Sequence, residues 1–181
     1  YLADKPIADT LSGEELDCAI QVEAYLRQCV KSVLGVEVTV FSPEHGYAGT
    51  LDLWHQNESK AICITDWKSA KSVYPEFAVQ QIAYRNAEWA VIGEHGSEQK
   101  SWKGKLVKWT PAGVLHIVHV RPDGATVHAV DSDQYDRLWE VFLAARTISL
   151  WQADSDGYGG KQPRIKTYMD QVEISAKNGG K

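Results

Sequence analysis

Near the start of the chain, apolar residues recur at the spacing of a helix that buries one face. They are Leu16, Ile20, Leu26, Val30 and Val33. Ser12, which is followed by two glutamates, suits the N-cap, and Gly35 suits the end of the helix. We therefore predict a first helix over Ser12–Leu34.

The next segments alternate apolar and polar residues, as strands with one buried face do. Val36–Ser42 is the first of them. Tyr47–His55 and Ala61–Lys68 follow, and the polar segment between them, centred on Ser59, predicts a hairpin loop.

The second half of the chain contains both helical and strand patterns. After Pro75, which suits a first helical turn, Glu76–Ile92 has helical period, and Gly93–Gly104 is polar like a loop. Three more strands are predicted, at Leu106–Thr110, Val114–Val120 and Thr126–Val130, the last two joined by the turn Arg121-Pro122-Asp123-Gly124. Asp133 is the expected cap of a last helix, Gln134–Trp151.

These elements predict an α/β fold with a central mixed β-sheet flanked by helices. At 181 residues with 44% hydrophobic content, the chain can bury one core but not two. We expect one domain over residues 1–153 and a polar flexible tail over residues 154–181, with a short helix around Ile165–Ile174. Because the chain begins with Tyr1 rather than Met, we also expect a processed or fragmentary chain.

Composition excludes several classes of protein. No apolar stretch approaches the roughly 20 residues of a membrane span, and no signal pattern opens the chain, so a cytoplasmic protein without a membrane partner is expected. Three cysteines, Cys18, Cys29 and Cys63, are too few and too scattered for disulfides or an iron–sulfur cluster. The six histidines show no metal spacing, and the net charge of −5 is neutral evidence for nucleic-acid binding.

The predicted hairpin carries the chemistry. Alternation places Thr50, Asp52 and Trp54 on one face of its first strand, and Asp66 and Lys68 on one face of its second. If Asp52 lies opposite Asp66, the two carboxylates suit a hard cation such as Mg²⁺ or Mn²⁺, and Lys68 can position water or neutralise a phosphate. The alternative is an ordinary ion pair at a sheet edge with Asp52 capping a turn.

Three motifs in order favour the first interpretation: Gly49-Thr50-Leu51-Asp52, then Ile64-Thr65-Asp66-Trp67-Lys68, then Gln80 and Tyr84 one helical turn apart. Over about Val36–Glu88 the chain resembles the RecB-type branch of the PD-(D/E)xK nucleases, which includes lambda-exonuclease-like and CRISPR-adaptation nucleases and many phage exonucleases. The resemblance implies a restriction-endonuclease-like core. It implies that Asp52, Asp66 and the backbone carbonyl of Trp67 bind the metal, that Lys68 is catalytic, and that Gln80 and Tyr84 contact DNA or the site.

The chain departs from that family in one respect, because members usually add an acidic residue or histidine from an upstream helix. Glu23 on the first helix is the candidate here, with Glu37 and Glu44 as further alternatives. A ligand helix that precedes Tyr1 is another. Some members carry four cysteines for an iron–sulfur cluster, and this chain lacks them, so no cluster is expected.

The resemblance implies a magnesium-dependent deoxyribonuclease, an exonuclease of phage or bacterial DNA recombination or repair, acting in the bacterial cytoplasm with a phage recombination or single-strand-binding protein as partner. The alternatives are an inactive nuclease-fold protein that binds DNA or a partner, and an RNA nuclease. Strand polarity, exo- or endonuclease action and oligomeric state are not predicted. Candidate DNA contacts are Lys71, Arg85, Lys100, Lys103, Lys105 and Lys108, with Trp102 and Trp109 between them, and weaker ones are Lys161, Arg164 and Lys166.

Overall fold

The computed structural model describes Leu11, residues 13–93 and residues 104–155, without the side chains of residues 153–155. By backbone contacts the chain divides into two compact units, Tyr1–Phe142 and Leu143–Lys181. The first unit contains the described strands and the candidate site. Among the described helices, none is both long and apolar enough to cross a membrane.

The elements of the described ranges are three α-helices and seven strands. The helices are α1 (Glu14–Cys29), α2 (Pro75–Arg85) and α3 (Tyr135–Ser155). The strands are β1 (Ser32–Ser42), β2 (Tyr47–Gln56), β3 (Ile62–Lys68), β4 (Trp89–Gly93), β5 (Gly104–Lys108), β6 (Val114–Arg121) and β7 (Gly124–Ala129). A one-turn 3-10 helix, Ser132–Gln134, precedes α3.

All seven strands form one mixed sheet in the order β5-β4-β1-β2-β3-β6-β7. Neighbouring strands are antiparallel except β3 and β6, which are parallel. A parallel pair needs a crossover connection, and α2 lies in the chain between these two strands. The predicted α/β class with a central mixed sheet is confirmed, as are the predicted hairpin and the two-residue turn from Arg121 to Gly124.

Helices pack on both faces of the sheet. On one face, Ile82 of α2 belongs to a buried cluster with Leu51 and Ile64, here called the α2-side cluster. On the other face, Tyr25 of α1 packs with Leu53 and other residues in the α1-side cluster. Each fully buried aliphatic side chain of this size contributes about 1.5–3 kcal/mol to stability. Strand β3 contributes to both clusters, with Ile64 on the α2 side and Trp67 on the α1 side.

The first helix ends at Cys29, five residues before the predicted end at Leu34. Val30 is already extended, with φ −112° and ψ 110°. The next residue, Lys31, donates its backbone N–H to the Gln56 carbonyl at 2.8 Å, which joins the chain to the sheet. β-Branched valines favour strands over helices, so the sheet captures this segment as the start of β1.

The predicted helix Glu76–Ile92 is correct in its first half and wrong in its second. It begins at Pro75 as expected, but it ends at Arg85, and Trp89–Gly93 forms β4. The Glu88 backbone explains the change, because its N–H donates to the Phe41 carbonyl at 3.1 Å and its carbonyl accepts from Trp109 N–H at 2.9 Å. An aromatic and two β-branched residues follow in β4, and they suit a strand.

Two predicted helix caps are also wrong. Gly13, with φ 57°, caps α1, and the predicted cap Ser12 lies outside the described residues. At the other end of the chain Asp131, not Asp133, precedes the 3-10 turn that leads into α3. That helix continues to Ser155, past the expected boundary at residue 153. The predicted tail from residue 156 onward, with its short helix, lies outside the described residues.

Candidate active site

The hairpin strands β2 and β3 separate where Asp52 and Asp66 face each other. Their backbone pairing ends at Leu53 and Thr65, and Asp52 and Asp66 are the next positions on the two strands. There the backbone N–H of Trp67 donates to Oδ2 of Asp52 at 2.7 Å. The side chain of Asp52 thus accepts a backbone N–H of β3 that would otherwise be free to pair between strands. Asp52 and Asp66 lie at the same level of the hairpin, as predicted.

Asp66 is a buried carboxylate paired with a lysine two residues along the same strand face. Its residue is only 2% exposed, and its Oδ2 forms an ion pair with Nζ of Lys68. Burial raises the pKa of Asp66, and the carboxylates of Asp52 and Glu37 raise it further, while Lys68 lowers it. One lysine therefore does not fully offset the negative charge that gathers here.

Two polar side chains of α2 extend this pair. Nζ of Lys68 donates to Oε1 of Gln80 at 2.9 Å, and Nε2 of Gln80 donates to the Tyr84 hydroxyl at 2.6 Å. Because an ammonium can only donate, the amide must present its oxygen to Lys68 and its nitrogen to Tyr84. The predicted i, i+4 pair on one helix face thus fixes the position of the lysine head group.

Phe77 of α2 also lies beside the lysine head group. The ammonium of Lys68 lies 4.9 Å from the centre of its ring, as in a cation–π contact. Phe77 precedes Gln80 by three residues, and the two therefore share a helix face. The helical spacing was the available signal. One face of the lysine head group is covered by this ring.

Gly49 has a physical reason to stand three residues before Asp52. A Cβ at this position would lie 2.6 Å from Cε1 of Tyr84, closer than real Cβ contacts. Tyr84 is 7% exposed and belongs to the α2-side cluster. The missing side chain of Gly49 thus lets the tyrosine ring pack directly on β2, which places its hydroxyl beside Gln80.

The alternation of faces breaks at Asp52, contrary to prediction. Leu51 belongs to the α2-side cluster and Leu53 to the α1-side cluster, although residues two apart on a regular strand share a face. Trp54 packs on the α2 side. Thr50 is exposed and pairs with Thr39 on β1 at 3.2 Å. Thr50, Asp52 and Trp54 therefore do not form one common face.

A mostly apolar groove of about 530 Å³ opens along α1 and reaches Asp52. Residues of the second half of α1 and of β1 line it, together with Leu53 and Trp67. Arg27 and Lys31 line it as cations. Asp52 is thus accessible from the α1 side of the sheet.

The three candidates for a further acidic residue lie in different surroundings. Glu23 lines the groove but forms an exposed ion pair with Arg27 one helical turn away. Glu44 lies in the turn at the far end of β1 and β2, where its N–H donates to Glu88 at 3.3 Å. Glu37 acts electrostatically on both Asp66 and Tyr84.

Some of the proposed basic DNA contacts are exposed, whereas Arg85 already contacts neighbouring side chains. Lys71, Lys105 and Lys108 are exposed. The guanidinium of Arg85 instead lies 4.9 Å from the centre of the Tyr135 ring and donates to Asn86. Trp109, which we expected among the DNA contacts, is instead 5% exposed and packs inward near Trp54. Lys100, Trp102, Lys103 and the tail cations lie outside the described residues.

A second polar group, which the sequence did not reveal, lies on the α1 side of β3. The Tyr25 hydroxyl is 2.8 Å from Oγ1 of Thr65 and 3.0 Å from Nδ1 of His116. Nε2 of His55 is 2.9 Å from the same Thr65 oxygen. Burial lowers the pKa of His116, and it lowers that of His55 to about 4, so both rings are neutral at pH 7. The cysteines Cys18, Cys29 and Cys63 are free thiols.

The donors around Asp66 fit a hard divalent cation in kind, since they are carboxylate oxygens beside a strand backbone that can add the carbonyl of Trp67. Asp66 is buried with a raised pKa, and a cation would favour its ionised form. Within the described ranges, no group of three acidic, histidine or cysteine side chains stands close enough to hold a metal by itself. Two carboxylates and a carbonyl are therefore the set on which metal binding would depend.

Two comparisons with known proteins add no further assignment. No family model matches the chain, and no curated protein matches it. The site must therefore be interpreted from its own geometry.

Proposed function

We propose that this chain is a divalent-metal-dependent nuclease that hydrolyses phosphodiester bonds of DNA. The observation that carries the proposal is the row of contacts Asp66–Lys68–Gln80–Tyr84, with Asp52 facing Asp66 across the hairpin. A buried carboxylate and a lysine held two residues apart, with a second carboxylate opposite, provide the charges that phosphodiester hydrolysis needs. The resemblance to PD-(D/E)xK nucleases rests on these same residues.

Each residue has a distinct part in this proposal. Asp52, Asp66 and the Trp67 carbonyl would hold Mg²⁺ or Mn²⁺, which supplies Lewis acidity and a lowered pKa for water when bound. Lys68 places its positive charge where negative charge grows on the phosphate. Gln80 holds the lysine head group, and Tyr84 orients the Gln80 amide, so both are positioning residues.

Exposed lysines near the site, such as Lys71, can bind the phosphate backbone of a nucleic acid. We propose action within DNA recombination or repair in the bacterial cytoplasm, as an exonuclease of phage or bacterial type. That part rests on the resemblance alone.

The test is cleavage of labelled linear single- and double-stranded DNA with Mg²⁺, Mn²⁺ or a chelator. The wild type is compared with Lys68→Ala and Asp66→Asn, and Arg137→Ala is the control because it removes an exposed cation of α3 that is not among the proposed DNA contacts. We expect metal-dependent cleavage that both site variants lose and the control keeps. DNA binding without cleavage would favour the inactive scaffold, and preferred cleavage of RNA of the same sequence would favour the RNA nuclease.

A further inference from the structure

An exposed aromatic side chain stands beside the candidate site, at the start of α2. Tyr74, the residue before the first turn of this helix, is 41% exposed, and among the described residues it belongs to neither the α2-side nor the α1-side cluster. Its ring meets the ring of Phe77 edge to face, with the ring centres 5.6 Å apart. Phe77 in turn covers the ammonium of Lys68. Two aromatic rings thus lead from the lysine head group to solvent.

The segment that carries Tyr74 is held at both ends. Nε2 of His119 on β6 lies 2.7 Å from the carbonyl oxygen of Ala70 and donates to it, because a carbonyl can only accept. At the other end, the Tyr74 carbonyl accepts the N–H of Phe77 at 3.1 Å, and Pro75 fixes the backbone of the first helical turn. The exposed ring therefore has a defined place, and a ligand that stacks on it loses little affinity to ordering of the chain.

The distances along this aromatic pair match the scale of a nucleic-acid strand. The two ring contacts, of 5.6 and 4.9 Å, meet at Phe77, so the Tyr74 ring centre lies within about 10.5 Å of the Lys68 ammonium. Stacked nucleotides of one strand follow each other at about 3.4 Å along the axis. A base within about three nucleotides of a phosphate at Lys68 can therefore reach the ring.

The surroundings of Tyr74 distinguish it from an ordinary exposed ring. Large apolar side chains occur singly on most protein surfaces without binding anything. Here the ring contacts the neighbour of the proposed catalytic lysine, and the exposed Lys71 lies in the same segment as a cation for the phosphate backbone. A cation beside an exposed aromatic ring is the combination that binds single strands, because an unpaired base offers its face for stacking.

We propose that Tyr74 is a substrate-binding residue that stacks on an unpaired base of DNA near the phosphate held at Lys68. This inference rests on the proposed function and deepens it, because it makes single-stranded or frayed DNA the substrate class. Phe77 supports the tyrosine ring from its edge, and Lys71 binds a neighbouring phosphate. Stacking tolerates any base, so this contact gives preference for unpaired strands without preference for sequence.

Binding of a fluorescently labelled single-stranded oligonucleotide, followed by anisotropy with Mg²⁺ present, tests the inference. The parent chain carries Asp66→Asn, so that the strand stays intact. We expect Tyr74→Ala and Tyr74→Leu to weaken binding about tenfold, since neither keeps an aromatic face. Tyr74→Phe keeps the ring and should bind within about twofold of the parent. Trp151→Ala is the matched control, because it removes an exposed aromatic ring from the other compact unit.

Oligonucleotides with a single abasic position, moved along the strand, separate stacking from a loss of structure. For the parent we expect one position at which removal of the base weakens binding about tenfold. Tyr74→Ala should show no further loss at that position, because the ring and the base belong to one contact and their effects are not additive. An abasic series in which the two chains lose affinity equally at every position would overturn the inference.

Cleavage kinetics of the chain with Asp66 intact separate this inference from the proposed function. Tyr74→Ala should raise KM for single-stranded DNA about tenfold and leave kcat within about twofold, as loss of uniform binding does. A fall in kcat with unchanged affinity would mean that Tyr74 acts only through Phe77 on Lys68, and the inference would fall while the nuclease stands. If the chain neither cleaves nor binds DNA, both proposals fall.

Discussion

The two faces of β3 carry two polar groups of opposite character. On the α2 side, Asp66 and Lys68 are charged and continue into Gln80 and Tyr84. On the α1 side, Thr65 joins Tyr25 and two neutral histidines. The hydroxyl and ring atoms of the neutral group hydrogen-bond to one another, and the group carries no charge at pH 7. The charged group retains excess negative charge, which makes it the group that an added cation would complete.

The largest effect on DNA cleavage is expected from Asp66→Asn, and the adjacent Thr65 on the opposite face of β3 provides the comparison. Asp66→Asn should lower DNA cleavage at least about 100-fold, a loss of about 2.7 kcal/mol of transition-state stabilisation. Without metal at pH 7 its free energy of unfolding should change by less than about 1 kcal/mol, because losing the ion pair to Lys68 and losing a buried ionised carboxylate act in opposite directions. Cleavage rates and urea unfolding measure the two effects.

Thr65→Val on the opposite face should show the reverse. It removes a buried hydroxyl that lies within hydrogen-bonding distance of both Tyr25 and His55, and the expected loss is about 1–3 kcal/mol of stability with cleavage within about threefold of the wild type. If Thr65→Val abolished cleavage while remaining folded, the two groups would be coupled and the comparison would fail.

A fall in pH should lower the stability of the folded chain through the buried histidines of the neutral group. The pKa of His55 is lowered to about 4 by burial, so the unfolded chain binds a proton between about pH 6.5 and 4 while the folded chain does not. Stability is therefore present above pH 6.5 and is lost as the pH falls through this window, by about 3 kcal/mol. His116, whose pKa is also lowered, should add to the loss.

Urea unfolding from pH 7.5 to 4.5 checks this dependence. His55→Gln should flatten the pH dependence in that range, because glutamine does not titrate. His128→Gln, at an exposed position on β7, is the control and should leave the slope unchanged. An unchanged slope in His55→Gln would show that another group binds the proton.

The sequence predicted the parts of this architecture that depend on short-range pattern. The polar loop centred on Ser59 was sufficient for the β2–β3 hairpin and for the register that sets Asp52 level with Asp66, whereas regular alternation failed at Asp52. Residues two or four apart brought Lys68 to Asp66 and Gln80 to Tyr84. These contacts follow from the geometry of single elements.

The missed features depend on contacts between distant segments. The strand β4 follows a helix without a glycine or proline, and only its pairing with β1 shows that the helix ends at Arg85. The positive φ of Glu37, 51° inside β1, has no local signal, because glutamate rarely adopts such a backbone conformation. Tyr25 meets side chains from three strands, and no spacing along the chain indicates that meeting.

A smaller effect on stability tests whether Tyr84 packs closely on β2 at Gly49. Gly49→Ala should destabilise the fold by about 1–3 kcal/mol, because the new Cβ would meet the Tyr84 ring at 2.6 Å. Displacing the ring should also lower cleavage. Gly113→Ala is the matched control, since a Cβ there meets nothing within 4 Å. Equal stability of the two variants in urea unfolding would argue against close packing of Tyr84 on β2.

The smallest effect is expected from Tyr84→Phe, which keeps the ring on Gly49 and removes only the hydroxyl. The Nε2 group of Gln80 then loses its acceptor, and the amide can rotate away from Lys68. We expect kcat for DNA cleavage to fall about fivefold with little change in KM or Mn²⁺ affinity, because the lysine is less well positioned while the carboxylates are untouched. A fall in Mn²⁺ affinity would instead place the Tyr84 hydroxyl within the cation site, and the charged face would then extend into α2 as a ligand set and not as a support for Lys68.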